Sequence, residues 1–245
     1  MPVNVSVSKE NYLKAIAEAE SEGEVVISAS LARWLGVSPP AVTAGLRRLK
    51  RDGMIQTSKE GHIALTERGR MIADRVLRRH HLIERMLAEM FGMEWYKVHD
   101  EAERLEHAVS EDFEARLIEV LGDSMPCPHG SLVESDSPSD RRKRGWSRLD
   151  EITTPGVFIV ASVFERDRQL LEFLDRLAIR PGQRVRWIER CYDDTVSLEV
   201  EDKSLKLGMT AAHRVWVTPT TDRSRDRQAQ RSAVSPSSGS RGQAD

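Results

Sequence analysis

The stretch VHDEAERLEH, residues 98–107, decides how the rest of the chain is organised. If it is helical, Glu103, Glu106 and His107 stand at positions i, i+3 and i+4 and project from one face, with His99 one turn earlier. Two carboxylates and imidazoles on one patch repel or stay protonated unless a cation neutralises them. A divalent metal ion does this economically, so the stretch predicts a metal site.

Positive and negative side chains are concentrated in different segments, although the net charge of the 245 residues is only −2. Residues 31–80 hold eleven Lys and Arg against four Asp and Glu, whereas residues 94–123 hold ten Asp and Glu against three Lys and Arg. A basic front and an acidic middle fit a polyanion-binding module joined to a cation-binding module.

The basic front has the pattern of a winged helix-turn-helix. A first helix is predicted over residues 9–20, capped by Ser8, and a second starts near residue 28 or 30. Gly36 then allows a tight turn before Ser38 caps a third helix, and a hairpin over residues 54–65 forms the wing. The DNA contacts expected on this arrangement are Ser38, Pro39, Pro40, Thr43, Arg47, Arg48, Lys50 and Lys59. An ordinary helical bundle with a solvated basic face is the alternative.

Histidines are concentrated in the middle of the chain, where five of the seven lie between His80 and His129. A long helix capped by Thr66 carries His80 and Glu84 four residues apart on one face. Ser110 caps a further helix to residue 121, with an apolar face suited to packing or dimerisation. The segment Cys127-Pro128-His129-Gly130 follows. Taken singly, the His80–Glu84 pair is more typical of a surface salt bridge, and Cys127 of a structural thiol.

The winged helix followed by RHHLIE (79–84), VHDEAE (98–103), LEH (105–107) and CPHG (127–130) resembles the diphtheria toxin repressor family. These are metal-activated bacterial repressors of iron and manganese uptake. The resemblance covers roughly residues 5–220. It implies a primary metal site made by Asn11, His80, Glu103, Glu106 and His107. It also implies an ancillary site made by Glu84, Cys127 and His129, with Asp167 left open, while some members use the position of His99 instead.

Three positions bear on which metal this resemblance implies. Glu103 replaces the Cys of iron-type members, and Asn11 stands where manganese-type members have Asp and iron-type members have Met. Lys14 replaces a second carboxylate of the manganese type and should discourage a closely spaced metal pair. A pocket of carboxylates and imidazoles without a thiolate is comparatively hard and favours manganese(II), with iron(II) as the alternative.

The expected fold is mainly α with a small β domain. The predicted domains are a winged helix-turn-helix (1–75), a helical metal-binding and dimerisation domain (76–130), a flexible linker (131–152), a small Src-homology-like β-barrel (153–220) and a disordered tail (221–245). The linker prediction rests on its polar composition without a hydrophobic period.

The sequence therefore predicts a homodimeric, metal-dependent repressor of manganese and iron uptake and homeostasis genes that binds a pseudo-palindromic double-stranded operator. No apolar run is long enough for a membrane helix, and no signal pattern is present at the N-terminus. Two cysteines argue against a disulfide scaffold. We therefore expect a cytoplasmic protein without a membrane partner. The alternatives are a metal-independent winged-helix regulator that senses a small molecule, and a helical di-metal carboxylate enzyme. An enzyme is not expected, because a second Glu-x-x-His motif, a phosphate-binding loop and a nucleophile elbow are all missing.

Overall fold

The computed structural model describes residues 5–123, 125–132 and 136–220, and the predicted tail lies outside them. The N-terminal helices are α1 (Val7–Ser21), α2 (Ser28–Leu35) and α3 (Pro39–Arg51), followed by strands β1 (Ile55–Thr57) and β2 (Ile63–Leu65). The middle helices are α4 (Glu67–Arg85), a π-helical turn (Met86–Met90), α5 (Val98–Leu105) and α6 (Glu111–Leu121). The C-terminal elements are α7 (Pro138–Lys143), β3 (Ser147–Arg148), a 3-10 turn (Leu149–Glu151), β4 (Gly156–Val163), α8 (Arg168–Arg176), β5 (Arg184–Arg190), β6 (Thr195–Val200), β7 (Lys203–Gly208), α9 (Met209–Ala212) and β8 (Val215–Pro219).

The first three helices and the hairpin form a winged helix-turn-helix around one buried core that includes Leu13, Ile16 and Leu49. The first helix begins earlier than the predicted Ser8 cap, because Ser6 is the extended residue that precedes it. Gly36 ends α2 with φ of 64°, a conformation that glycine adopts at little cost, and so makes the predicted turn.

Helix α3 lies directly on helix α1 because position 45 is a glycine. A Cβ atom on Gly45 would stand 2.7 Å from the ring of Tyr12, which is closer than real contacts allow. Helix α3 therefore packs on the ring of Tyr12 without an intervening side chain.

The middle helices begin at the predicted caps. The Thr66 hydroxyl accepts from Gly69 N at 3.2 Å, and the Ser110 hydroxyl accepts from Phe113 N at 3.2 Å. Helix α5 ends at Leu105, one residue before Glu106 and two before His107, so the predicted helical face does not extend through both of them. The two side chains nevertheless stay together, with His107 Nε2 3.3 Å from Glu106 Oε1.

The C-terminal region is a single sheet of antiparallel pairs in the order β3-β8-β4-β5-β6-β7, with α8 packed on its core. The predicted closed barrel is not seen: among the described strands, β3 and β7 remain the two edges and do not pair with each other. The domain is therefore a small open sheet, and the chain as a whole is mainly helical with this sheet at its C-terminal side.

The stretch predicted as a flexible linker contains regular structure between residues 138 and 151, where α7, β3 and the 3-10 turn lie. The buried guanidinium of Arg141 explains part of this order, since it bonds Asp136 Oδ2 at 3.0 Å and stacks over the Trp216 ring at 5.2 Å. Charged composition misled the prediction because these charges are paired, both within the segment, as Arg142 is with Glu151, and with the C-terminal end of α1, as Arg141 is with Glu22. Within the described ranges, no helix combines the length and apolar character that a membrane crossing requires.

Candidate metal centre and nucleic-acid interface

Four side chains from three elements meet in a buried group, which we call the His80–Glu165 group: His80, Glu84, His99 and Glu165. Helix α4 places His80 and Glu84 on one face, α5 contributes His99, and Glu165 follows strand β4. His80 Nε2 lies 3.0 Å from His99 Nδ1 and 3.1 Å from Glu84 Oε1. One ligand atom from each of the four residues lies within 4.8 Å of the others. Nitrogen and oxygen donors at this spacing suit a divalent cation.

The Cys-Pro-His-Gly segment closes over the same group. His129 Nδ1 lies 3.4 Å from Glu84 Oε1 and 3.6 Å from Glu165 Oε2, while Cys127 Sγ lies 3.5 Å from Glu165 Oε2. His129 Nε2 lies 2.9 Å from the carbonyl of Trp95, so in the tautomer that donates this hydrogen bond Nδ1 faces the carboxylates with a lone pair.

Gly130 allows this segment to approach strand β4. Its φ is +85°, and a Cβ there would stand 2.1 Å from the carbonyl oxygen of Ala161. The neighbouring carbonyl of His129 accepts from Val163 N at 2.9 Å. The loop is thereby fixed to the end of the strand that leads to Glu165, which positions its donors beside those of α4 and α5.

The electrostatics of the group are those of a site where protons and a metal cation compete for the same side chains. Burial and the ammonium of Lys14 lower the pKa of His80, but Glu84 and Glu106 outweigh them and raise it from 6.5 to about 9. Burial raises the pKa of Glu84, yet the imidazoles of His129 and His80 hold it well below its usual range. Burial, with Glu84 and Glu165 beside it, raises the pKa of the Cys127 thiol well above its usual value.

The donor set passes a direct test of fit for a metal ion. Glu84 Oε2 is fully buried and has no hydrogen-bond partner among the described residues, although it belongs to a charged carboxylate. His81 Nδ1, on the same helix, is likewise buried without a partner there. Buried polar atoms in native proteins are normally satisfied, so two orphans beside this group point to a missing ligand. His81, Glu84, Cys127 and Glu165 also meet the spacing of a metal group.

The residues expected at the primary site are arranged differently. Glu106 Oε2 lies 2.6 Å from His80 Nδ1, and Glu106 Oε1 lies 3.3 Å from His107 Nε2. His107 also lies 2.9 Å from Glu10 Oε2 and 2.6 Å from Asn11 Oδ1. The Glu103 carboxylate is 41% exposed and lies 2.9 Å from Arg166. His80 thus faces two neighbourhoods, with Nε2 in the His80–Glu165 group and Nδ1 on Glu106.

Lys14 fills the space between these predicted ligands. Its Nζ donates to Glu106 Oε2 at 2.7 Å and lies 2.9 Å from His80 Nδ1. Burial lowers the pKa of Lys14, but Glu18, Glu106 and Glu103 outweigh burial and raise it. The ammonium therefore stays charged inside the cluster.

Asp167 does not join the metal-ligating groups among the described residues. Its carboxylate caps helix α8, accepting from Leu170 N at 3.0 Å. Glu165, two residues earlier, reaches the group instead, and the sequence reasoning missed it because no local spacing marks it. His99, which the sequence left as an alternative, lies at the centre of the group. A sequence signal for Glu165 is an acidic side chain directly after the largely apolar stretch of residues 157–164.

The predicted DNA contacts form an exposed surface on α3 and the wing. All eight are exposed: Ser38, Pro39, Pro40, Thr43, Arg47, Arg48, Lys50 and Lys59. The Thr43 hydroxyl bonds the carbonyl of Pro39 at 3.0 Å, which leaves its methyl group outward. A helix of small and basic side chains beside a wing that presents Lys59 suits phosphate contact and contact with thymine methyl groups.

Comparison with known proteins agrees with this geometry. Residues 4–63 match the model of the iron-dependent repressor N-terminal DNA-binding domain, residues 66–133 its metal-binding and dimerisation domain, and residues 147–219 the FeoA domain. The diphtheria toxin repressor of Corynebacterium diphtheriae is 32% identical over 218 residues, covering 85% of this chain and 95% of that protein. The chain belongs to the diphtheria toxin repressor family.

Other members of the family are similar over different shares of their length. The iron-dependent repressor IdeR of Mycobacterium tuberculosis is 41% identical over 124 residues, so the match spans about half of each protein, 51% of this chain and 54% of that one. A solved manganese-dependent transcriptional repressor in complex with manganese superposes with a TM-score of 0.77 at 30% identity, covering 86% of this chain and 99% of its own. The manganese regulator SloR gives a TM-score of 0.72 at 27% identity, covering 88% and 100%.

Proposed function

We propose that this protein is a homodimeric repressor that binds an operator when the His80–Glu165 group holds manganese(II), and that it controls manganese or iron uptake genes. The observation that carries the proposal is the origin of the donors. Helices α4 and α5 supply His80, Glu84 and His99, whereas Glu165 comes from the sheet domain. One site therefore joins two domains of the chain.

The residue after Glu165 extends this junction to the DNA-binding domain. Arg166 bonds Glu18 Oε2 on α1 at 2.8 Å and the carbonyl of Trp34 on α2 at 3.2 Å. Because Glu165 and Arg166 are consecutive, holding one carboxylate in place also holds the neighbouring guanidinium against the winged helix.

A divalent ion bound in the group would supply positive charge that Glu84 and Glu165 need to lie together. The protein side chains do the rest: Glu106 accepts from His80 Nδ1 and so keeps the Nε2 lone pair on the group. Arg166 then keeps α1 and α2 in one position relative to the helical domain. Two winged helix-turn-helix units of a dimer, held at a fixed separation, can bind half-sites one DNA turn apart, about 34 Å.

Dimerisation has support from exposed apolar side chains on the helical domain. Phe113 and Val120 on α6 are 44% and 51% exposed, and Met90 and Phe91 after α4 are 54% and 71% exposed. Phe113 and Val120 are seven residues apart and so lie on one face of α6, and exposed apolar side chains of this kind are typical of interfaces. We infer that a second copy of the chain covers them.

The test uses the full chain, a duplex selected from a random pool by the manganese-loaded protein, and a gel-shift titration. We expect tight binding with manganese(II) and loss of binding after chelation, with iron(II) under anaerobic conditions as a parallel arm. Glu84→Gln should not respond to metal, whereas Glu101→Gln, which changes an exposed carboxylate of α5 paired with Arg104, should respond normally.

Operator binding that survives chelation would refute the proposal and favour a metal-independent regulator. Response to iron(II) and not to manganese(II) would keep the repressor but change its metal. Sedimentation of the metal-loaded protein as a monomer would refute the dimer.

A further inference from the structure

The cluster around Lys14 is the feature of this chain that departs most from a metal site. The Lys14 side chain is only 4% exposed. Besides Glu106 at 2.7 Å, its ammonium lies 3.7 Å from Glu103 Oε1 and 3.8 Å from Glu18 Oε1. A fixed positive charge thus stands among the carboxylates that the sequence assigned to the primary metal site.

The remaining candidate ligands of that site are paired with one another, since His107 Nε2 also lies 3.3 Å from Glu106 Oε1. His107 and Asn11 contact each other at 2.6 Å, so the amide oxygen and imidazole nitrogen that would bind an ion face one another. The adjoining cavity of about 140 Å³ is lined by both Lys14 and Arg166. Glu18, Glu103 and Glu106 line the same cavity, and Lys14 already pairs with all three of these carboxylates. The ammonium therefore occupies the negative charge that a divalent ion would need.

Lys14 also joins domains, because it projects from α1 whereas Glu106 follows α5 and His80 lies on α4. The contact between Lys14 and Glu106 is buried at both ends, 4% and 2% exposed. Removing one partner of a buried ion pair leaves the other charge buried and unpaired, which is far more unfavourable than breaking an exposed pair.

We propose that Lys14 is a built-in cation that replaces the metal ion of the primary site, so that each chain binds one divalent ion, at the His80–Glu165 group, instead of two. The inference rests on the proposed function for the existence of that one ion. Lys14 anchors α1 to the helical domain at one point with or without metal, and the junction through Glu165 and Arg166 is a second contact that responds to metal.

The experiment counts manganese(II) bound per full-length chain by native mass spectrometry and elemental analysis, in parallel on wild type and variants. We expect one ion for wild type and for Lys14→Arg, which keeps the charge. We expect two for Lys14→Ala and Lys14→Gln, which remove the charge from the cluster of carboxylates. Lys9→Ala is the matched control on the same helix, since Lys9 pairs with Asp52 at 2.9 Å away from the cluster, and should bind one.

The outcomes separate this inference from the proposed function. Two ions in wild type, or one ion in Lys14→Ala and Lys14→Gln variants that circular dichroism shows to be folded, would overturn the role of Lys14. No ion in wild type would instead overturn the proposed function. If Lys14→Ala fails to fold without metal, the Gln variant supplies the count, and an increase in thermal stability with manganese(II) beyond that of wild type would support a second bound ion.

Discussion

Replacement of Arg166 by Met should weaken the link between metal and operator without removing a metal ligand. The contact to be broken is well defined: the guanidinium bonds Glu18 and Glu103 at 2.8 and 2.9 Å. Burial alone would raise the pKa of Glu18, but Arg166 first and Lys14 second lower it from 4.5 to about 2.

That fall in pKa gives the magnitude. It corresponds to about 3 kcal/mol of interaction with the charged carboxylate. Arg166 is the larger of the two main contributors, so its removal should cost about 2 kcal/mol, or about 30-fold in the population of the docked arrangement. The manganese-dependent gain in operator affinity should fall by up to this factor, because coupling cannot exceed the contact that transmits it.

The assay is an operator titration with and without saturating manganese(II), together with urea unfolding between pH 3 and 7. The stabilisation from Glu18 is present above pH 4.5 and is lost as pH falls towards 2 in the wild type. In Arg166→Met this acid loss should begin at higher pH. Arg168→Met is the control, because its guanidinium is 47% exposed and pairs with exposed carboxylates. A manganese-dependent gain that stays within twofold of wild type in Arg166→Met would refute the reasoning.

Three further predictions follow from the site and the DNA-binding surface. Manganese(II) affinity should rise by about tenfold per pH unit between pH 6 and 8, because His80 with a pKa of about 9 must release a proton to bind the ion; competition with a metal indicator at three pH values checks this, and an affinity independent of pH would contradict it. The stabilisation of the metal-free protein by that proton should be complete below pH 6.5 and disappear as pH rises through 9, as measured by thermal unfolding. Gly130→Ala should lower manganese(II) affinity by about 10- to 100-fold, since its Cβ would collide with the Ala161 carbonyl, whereas Gly92→Ala, which meets nothing within 4 Å, should not, as measured by isothermal titration calorimetry; equal affinities would show that the loop tolerates displacement. Arg48→Ala should weaken binding to all duplexes and reduce the salt slope of log K by about 1, and a change confined to one sequence would indicate base readout instead.

The parts of the fold that could be predicted from sequence are those governed by local pattern. Helix caps at Thr66 and Ser110, the turn at Gly36 and the wing all depend on residues within a few positions of one another, and the structure has them where they were predicted. The same holds for the pairing of His80 with Glu84, because a helix brings positions i and i+4 together whatever surrounds it.

The parts that could not be predicted depend on contacts between distant segments. Glu165 and Asp167 are both acidic residues after a strand. Glu165 reaches the metal-ligating group, beside the loop that accepts a hydrogen bond from Val163 N, whereas Asp167 caps α8. Lys14 could be identified as a hindrance to a metal pair, but its position inside the cluster requires the packing of α1 on α4. His107 lies beside Glu106 as predicted, with 3.3 Å between Nε2 and Oε1, although α5 ends at Leu105. The contact of His107 with Glu10 depends on the packing of α1 and has no local signal.

The packing of Gly45 on the Tyr12 ring has a mechanical consequence. Tyr12 lies on the same helix as Lys14 and Glu18, through which the winged helix-turn-helix contacts the rest of the molecule. Because no side chain lies between the ring and the backbone of Gly45, a tilt of α1 should be transmitted to α3. The angle at which α3 enters the DNA groove then depends on the contacts of Lys14 and Glu18. A bulkier residue at position 45 would act as a wedge and shift the preferred distance between operator half-sites, even though it touches no nucleotide.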